Sequence, residues 1–230
     1  MKRMIKRAAE AVAWALMAPL AYAVKWSAPV DAGQRLFQFG SHLVSLLPGL
    51  PGVLLRRAYY RTVLDLGWRD FTIEFGTIFA SRGTELGDNC YIGPFCNIGL
   101  VRIGRDVLIG SGVHLISGAH VHHIERLDRP IKSQGGTLTK ISIGNDVWIG
   151  NGALVMNDVG SSVVVGAGAV VTRPCGAFGV YAGNPSRKLR DRRGALVKHH
   201  GGKRPRPSDT PAAPPAAYTE LQQSRGQARA

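Results

Sequence analysis

The 230-residue sequence predicts a mainly β fold, a parallel β-helix built from hexapeptide repeats. Two observations carry the prediction. Aliphatic residues recur every six positions: Leu86, Ile92 and Ile98; Ile103, Ile109 and Leu115; Ile143, Ile149 and Val155; Val159, Val165 and Val171. Glycine follows the aliphatic residue at Gly87, Gly93, Gly99, Gly104, Gly110, Gly144, Gly150, Gly160 and Gly166. Each unit supplies one short strand and one sharp bend, and its aliphatic side chain stacks on the copy in the next coil. A β-sandwich is the alternative, but its strands repeat every ~8–12 residues and less regularly. The beat breaks three times. Ile98 to Ile103 is one residue short, 117–142 is an excursion without the pattern, and Val155 to Val159 is two residues short.

The elements follow in order. Residues 1–31 open with Lys2, Arg3, Lys6 and Arg7, and an apolar run from Ala8 to Val24 holds Glu10 and Pro19. Three readings fit this segment: a signal peptide cleaved after Ala21-Tyr22-Ala23, a short transmembrane helix, or an amphipathic helix lying in a membrane interface with Trp14 at headgroup level. Residues 32–70 read as a helical lead-in, with Leu36, Phe37, Leu43, Leu46 and Leu47 as an apolar stripe. Pro48-Gly49-Leu50-Pro51-Gly52 reads as a turn, and a second helix runs from Val53 to Leu66. That helix carries Arg56, Arg57, Tyr59, Tyr60 and Arg61. It is expected to cap the solenoid's open end, whose strand edges are otherwise unpaired. Strand-like sequence starts near Phe71 and the β-helix extends over 71–190. Residues 191–230, rich in Arg, Lys, Pro, Ala and Gln, read as a disordered tail.

Charge is divided unevenly. Residues 1–70 hold ten Lys/Arg against four Asp/Glu, 71–183 hold eight against eight, and 184–230 hold eleven against three. A nucleic-acid-binding solenoid carries its charge on the repeats, so this distribution argues against that class. Basic ends around an apolar segment suit an anionic membrane surface. Three cysteines, Cys90, Cys96 and Cys175, have no metal-site spacing and argue against a disulfide framework.

A solenoid is a scaffold, so chemistry has to come from a site grafted on it. The candidate is the excursion 117–142. It opens Ser117-Gly118-Ala119-His120-Val121-His122-His123 and passes through Asp128-Arg129-Pro130-Ile131. Four of the seven histidines, at 114, 120, 122 and 123, lie within ten positions. From the residues alone, a metal site, a single histidine acting as general base, and solvated surface histidines all remain open.

Three stretches together resemble the hexapeptide-repeat acyltransferases: Ile143-Gly144-Asn145-Asp146-Val147-Trp148-Ile149-Gly150, Val165-Gly166-Ala167-Gly168-Ala169-Val170-Val171-Thr172, and Tyr181-Ala182-Gly183-Asn184-Pro185-Ser186-Arg187. The similarity covers about 71–190. It is nearest the sugar O-acetyltransferases of the maltose, galactoside and nodulation-factor type and those that act on capsule and exopolysaccharide units. The resemblance implies a left-handed parallel β-helix, a homotrimer with sites between neighbouring prisms, and acetyl-CoA as co-substrate, with no resident metal. It implies His120 as the catalytic base, with His122 and His123 as alternatives, because the family's histidine sits in this loop ahead of a pair such as Pro130-Ile131. It implies cofactor contacts at Trp148, Gly150, Gly168, Ala169, Arg187, Lys188 and Arg190, and an acceptor contact at Asn97. Two departures stand out. Met156-Asn157-Asp158 replaces a longer turn in a shortened coil at 155–165, which puts CoA affinity in question, and the loop reads His-Val-His-His.

The expected function is transfer of an acetyl group from acetyl-CoA to a hydroxyl of a saccharide or lipid-linked sugar. The competing readings are a metal-dependent hydratase of the γ-carbonic anhydrase type, a serine acetyltransferase, and a non-catalytic membrane-docking scaffold. Because acetyl-CoA is cytoplasmic, residues 1–25 are expected to be retained as an interfacial helix on the inner face of the membrane. Nucleic acid is not an expected partner.

Overall fold

The computed structural model describes residues 2–31 and 34–194. Three helices come first: α1 (Lys2–Trp26), α2 (Arg35–Ser45) and α3 (Gly49–Val63). The strands are β1 (Phe71–Ile73), β2 (Ile78–Phe79), β3 (Glu85–Leu86), β4 (Cys90–Ile92), β5 (Asn97–Ile98), β6 (Val101–Ile103), β7 (Leu108–Ile109) and β8 (His114–Leu115). After the excursion come β9 (Ile141–Ile143), β10 (Trp148–Ile149), β11 (Leu154–Val155), β12 (Val164–Val165), β13 (Val170–Val171), β14 (Gly179–Ala182) and β15 (Arg187–Asp191).

These strands form the three faces of a parallel β-solenoid. The first face stacks β1-β4-β7-β10-β12-β14, the second β2-β5-β8-β11-β13, and the third β3-β6-β9. The third face continues through single bridges, Ile143 to Val159 and Val159 to Cys175. The aliphatic residues of the beat point inward. Ile73, Ile92, Ile109, Ile149 and Val165 make one fully buried column, and Ile98, Leu115, Val155 and Val171 make another. Burying each such side chain contributes roughly 1.5–3 kcal/mol, and the hydrogen bonds between coils satisfy the backbone. The corner after the first face needs a left-handed residue. Gly112, Gly152 and Gly168 supply it at φ +65, +67 and +66, and Phe95 holds the same place at φ 59 in an earlier coil.

The sequence treats the short step from Val155 to Val159 as a departure in one coil, and the structure shows the step a second time. The same short step recurs at Val171 to Cys175, with Cys175 buried where an aliphatic is expected. Ile149, Val165 and Tyr181 therefore lie 16 residues apart and in register. The abbreviation is a constant of the third face in the last coils. It is not a local defect beside one turn.

The helical lead-in caps the first coil. In the parallel ladder, Phe71, Ile73 and Phe79 direct backbone groups away from the next coil. Arg57 Nε donates to Phe71 O at 2.7 Å, Arg56 Nε donates to Ile73 O at 2.7 Å, and Phe79 N donates to Ser41 Oγ at 2.8 Å. Both arginines are buried, and Tyr59 and Tyr60 are fully so. Glu10 of α1 accepts from Arg57 at 3.0 Å and Arg61 at 3.4 Å, which ties α1 to α3. Ala21 and Val24 of α1 belong to the same core.

One expectation about the lead-in needs correction. Helix α3 begins at Gly49, inside the stretch read as a turn. Pro51 fits because the first turn's N–H groups have no intrahelical acceptor. The apolar stripe of α2 lies mostly outside the core. Phe37, Gly40, Ser41 and Val44 face the core, whereas Leu36, Leu43 and Leu46 are exposed.

At the other end β15 runs antiparallel to β14 and covers the last coil's edge. The tail was expected to begin at 191, but order extends through Gly194. Arg192 donates to Asp146 Oδ2 at 2.9 Å and Arg193 lies over the Phe178 ring. The remainder of the expected disordered tail, 195–230, lies outside the described residues.

Candidate functional site

The excursion 117–142 leaves the solenoid between β8 and β9, where second face turns to third. Solenoid register is kept across it, since β7 and β10 remain neighbours with Ile109 paired to Ile149. Ser117 anchors its root. Its Oγ accepts from Leu100 N at 2.8 Å and its carbonyl accepts from Thr139 N at 2.9 Å. The two arms then run side by side, Thr137 N donating to His120 O at 2.8 Å and His123 N to Gly135 O at 3.0 Å. Gly118, at φ +85, is buried against Thr139, and Gly136 lies against the Val121 carbonyl. A Cβ at either glycine would part the arms. The tip is closed by Gln134, whose Nε2 donates to Arg126 O at 2.7 Å and whose Oε1 accepts from Arg126 N at 3.0 Å.

The first arm bends at Ala119, Val121 and His122, and its side chains differ in exposure. His120 and His122 are exposed, while Val121 and His123 are half-buried. His123 Nε2 shares a 3.1 Å hydrogen bond with Thr137 Oγ1, so its ring is held by the opposite arm. Glu125 follows at once. Its own backbone N–H and that of Ile124 hold its carboxyl below the usual range, and the His123 and His120 imidazoles add to the effect. The loop therefore gathers two imidazoles and a carboxylate at an exposed place beside the second face. Thr137 and Glu125 were not singled out from sequence. Thr137 lies 14 residues from its partner, and only the pairing of the arms brings them together.

The other sequence candidates occupy two further places. Asn97 lies on β5 in register with His114 of β8, so the two outward side chains are neighbours directly beneath the loop's root. Trp148 projects from β10 and is 52% exposed, stacked in register between Leu108 and Val164 on the first face. Gly150 turns the corner after Trp148, and a Cβ there would strike the backbone at Ala167 in the next coil. Gly168 is the counterpart of Gly152 in the next coil, with open space where a Cβ would be. Ala169 is fully buried, backbone included, so its methyl faces the solenoid interior. Arg187 and Arg190 are exposed on β15, while Lys188 is drawn to Asp191 at 3.3 Å. The loop and the Trp148–Arg190 group thus lie at different places on one chain. Among the described residues no three His, Cys, Asp or Glu side chains are grouped to hold a metal ion.

Between these places lies an ion network that sequence reading missed. Glu85 on the third face accepts from Arg102 Nε at 2.6 Å and from Lys140 Nζ at 2.7 Å. The Arg102 and Lys140 donors pull its carboxyl down to about 2. Lys140 ends the excursion, so the network fixes the loop's exit to the coil below.

No protein-family model matches the sequence, and no curated protein matches it. Solved structures do. A galactoside acetyltransferase in complex with coenzyme A is 23% identical, over 68% of this chain and 80% of that one, with a TM-score of 0.51. A hexapeptide-repeat-containing acetyltransferase from Vibrio cholerae is 20% identical, over 70% and 93%, with a TM-score of 0.49. A maltose O-acetyltransferase from Clostridium difficile 630 is 18% identical, over 72% and 87%, with a TM-score of 0.47. With six strands stacked on its first face and a helical cap, this chain has the hexapeptide-repeat β-solenoid fold of the galactoside acetyltransferase.

Proposed function

We propose that the protein is an acyl-CoA-dependent O-acetyltransferase whose acceptor is a hydroxyl of a saccharide or lipid-linked sugar. The observation that carries this reading is the ordered loop 117–142, which presents His120 in a regular solenoid otherwise without chemistry. The coenzyme A bound to the galactoside acetyltransferase of the same fold supports the donor.

The chemistry follows from the residues. A sugar hydroxyl is a weak nucleophile at neutral pH. As its oxygen attacks the thioester carbonyl, a C–O bond forms and the His120 imidazole takes the hydroxyl proton. The carbonyl oxygen becomes an oxyanion, which a backbone N–H of a neighbouring coil stabilises. Collapse breaks the C–S bond, and the imidazolium returns the proton to the departing thiolate. His123, held by Thr137, and Glu125 shape the field around this base. No acyl-enzyme is needed. Cys90, Cys96 and Cys175 are buried, and burial raises their thiols above the ordinary range.

For the donor, half-exposed Trp148 offers an apolar face to the pantetheine arm, Gly150 lets the next coil's backbone lie close behind it, and Gly168 leaves open space at the surface. Arg187 and Arg190 suit the CoA phosphates. A homotrimer of left-handed prisms would let the Trp148 face of one copy approach the loop of another, joining the two places that one chain keeps apart. Acetyl-CoA as the donor supports a cytoplasmic location. The test is thiol release from acetyl-CoA over a panel of sugars and lipid-linked sugars, with free serine as a comparison acceptor. Acceptor-dependent release lost in His120→Ala is expected. Zinc retained on purification together with hydratase activity would replace this reading with the carbonic anhydrase type.

A further inference from the structure

The solvent-facing arc of α1 carries no charge. Met4, Val12, Leu16, Pro19, Ala23 and Trp26 are all exposed. At 3.6 residues per turn they fall within an arc of roughly 120°, the intervening Ala8 and Ala15 included. Glu10, Lys6, Arg7 and Lys25 fall outside it. A second stripe runs along α2 into α3: Leu36, Phe39, Leu43, Leu46 and Leu50, spaced three and four apart and all exposed. Nothing among the described residues covers either stripe. Exposed apolar surface of this extent marks an interaction face, since single exposed apolar residues are the ordinary case.

We propose that these two stripes dock the protein on an anionic lipid bilayer, with both helices lying in the interface. Three features favour lipid over a protein partner. The α1 arc offers no side-chain hydrogen bond that would set register with another protein, and a bilayer demands none. Its border carries amphipathic rings, Trp14 against Tyr22 with centroids 6.5 Å apart and Tyr22 against Trp26 at 5.3 Å, the residue types that settle at headgroup depth. Exposed cations flank the stripes without interrupting them, Arg7 on α1 and Arg35 on α2, while Lys25 of α1 is paired with Asp65. The first 70 residues hold ten Lys/Arg against four Asp/Glu while 71–183 are neutral, so among residues 1–183 the attraction to anionic headgroups falls on the segment that carries the stripes. No helix among the described residues is long and apolar enough to cross a membrane, so the docking proposed here is peripheral.

The inference stands apart from the acyltransfer reading, because vesicle binding is scored without substrate. The full chain is sedimented with vesicles of phosphatidylcholine alone and with about 30% phosphatidylglycerol. The expected result is binding to the anionic vesicles that high salt reverses, with tryptophan emission shifting to shorter wavelength. Leu16→Glu with Leu43→Glu is expected to weaken binding about tenfold or more while the thermal melt stays unchanged. The wild-type emission shift and salt reversal supply the test if that variant does not fold. No binding, equal binding to neutral vesicles, or binding unaffected by the double variant would overturn the proposal. So would a solution oligomer that the double variant dissociates, which would mean that a second copy covers the face.

Discussion

Replacing Arg56 by methionine tests whether the helical lead-in is a cap or an ornament. Methionine keeps most of the apolar stem and removes the guanidinium. Lost with it are the 2.7 Å bond from Nε to Ile73 O and the 2.5 Å bond from Nη1 to Leu47 O. Hydrogen bonds from a charged donor contribute about 1.5–3 kcal/mol each, so the gross loss is roughly 3–6 kcal/mol. Part is recovered. Arg56 is fully buried, its Nη2 has no hydrogen-bond partner among the described residues, and burial lowers its proton affinity. Relieving that cost returns about 1–3 kcal/mol, leaving a net destabilisation of about 2–4 kcal/mol. For a chain of this size the melting temperature should fall by roughly 5–15 °C. Tyr59→Phe is the control, because Tyr59 Oη is buried without a hydrogen-bond partner among the described residues and its removal should cost nothing. Both variants are melted at one fixed protein concentration, since assembly shifts apparent stability. An Arg56→Met midpoint within the error of wild type, or a Tyr59→Phe loss of equal size, would refute the capping argument.

Three further outcomes follow from the same geometry. Gly40→Ala on α2 drives a methyl into the Tyr59 hydroxyl and should destabilise by about 1–3 kcal/mol despite alanine's helix preference, with Tyr59→Phe restoring part of the loss in a double-mutant melt. The Glu85 carboxyl is lowered from 4.5 to about 2 in the fold, so its stabilisation is fully present above about pH 4.5 and disappears as pH falls towards 2. Glu85→Gln should flatten the melting temperature's pH dependence in that window, and an unchanged slope would remove Glu85 from the account. Trp148→Ala should weaken coenzyme A binding about tenfold by titration while the melt stays within about 1 kcal/mol of wild type, because the ring is half exposed.

The solenoid was legible because its physics is repetitive. Each inward aliphatic restates the same instruction, and Ile143, Ile149 and Val155 sit where the beat puts them. The short step after Val155 was misread because its repeat ends on Cys175, which an aliphatic count passes over although a buried thiol packs as a small apolar group. The burial of α2 was not legible. The sequence shows an apolar stripe with leucines at 36, 43 and 46, yet Gly40 and Ser41 face inward beside Tyr59 and Tyr60 of α3. No local pattern discloses a neighbour's bulk. The same holds for the caps. The helix that carries Arg56 and Arg57 is expected as a cap, but which carbonyls the two guanidinium groups serve is visible only with the first coil in place beside them. At the candidate site the histidine cluster was visible, but Thr137 and Glu125 acquire meaning only from the loop's own hydrogen bonds.

The most direct measurement of the central claim is acceptor-dependent thiol release from acetyl-CoA by wild-type protein and by His120→Ala. The expected result is release with at least one saccharide or lipid-linked acceptor, lowered about 10²–10⁴-fold in the variant while coenzyme A affinity is unchanged. Release that survives in His120→Ala and falls instead in His122→Ala or His123→Ala would move the base within the loop. Release indifferent to all three, or no coenzyme A binding by titration, would contradict the account.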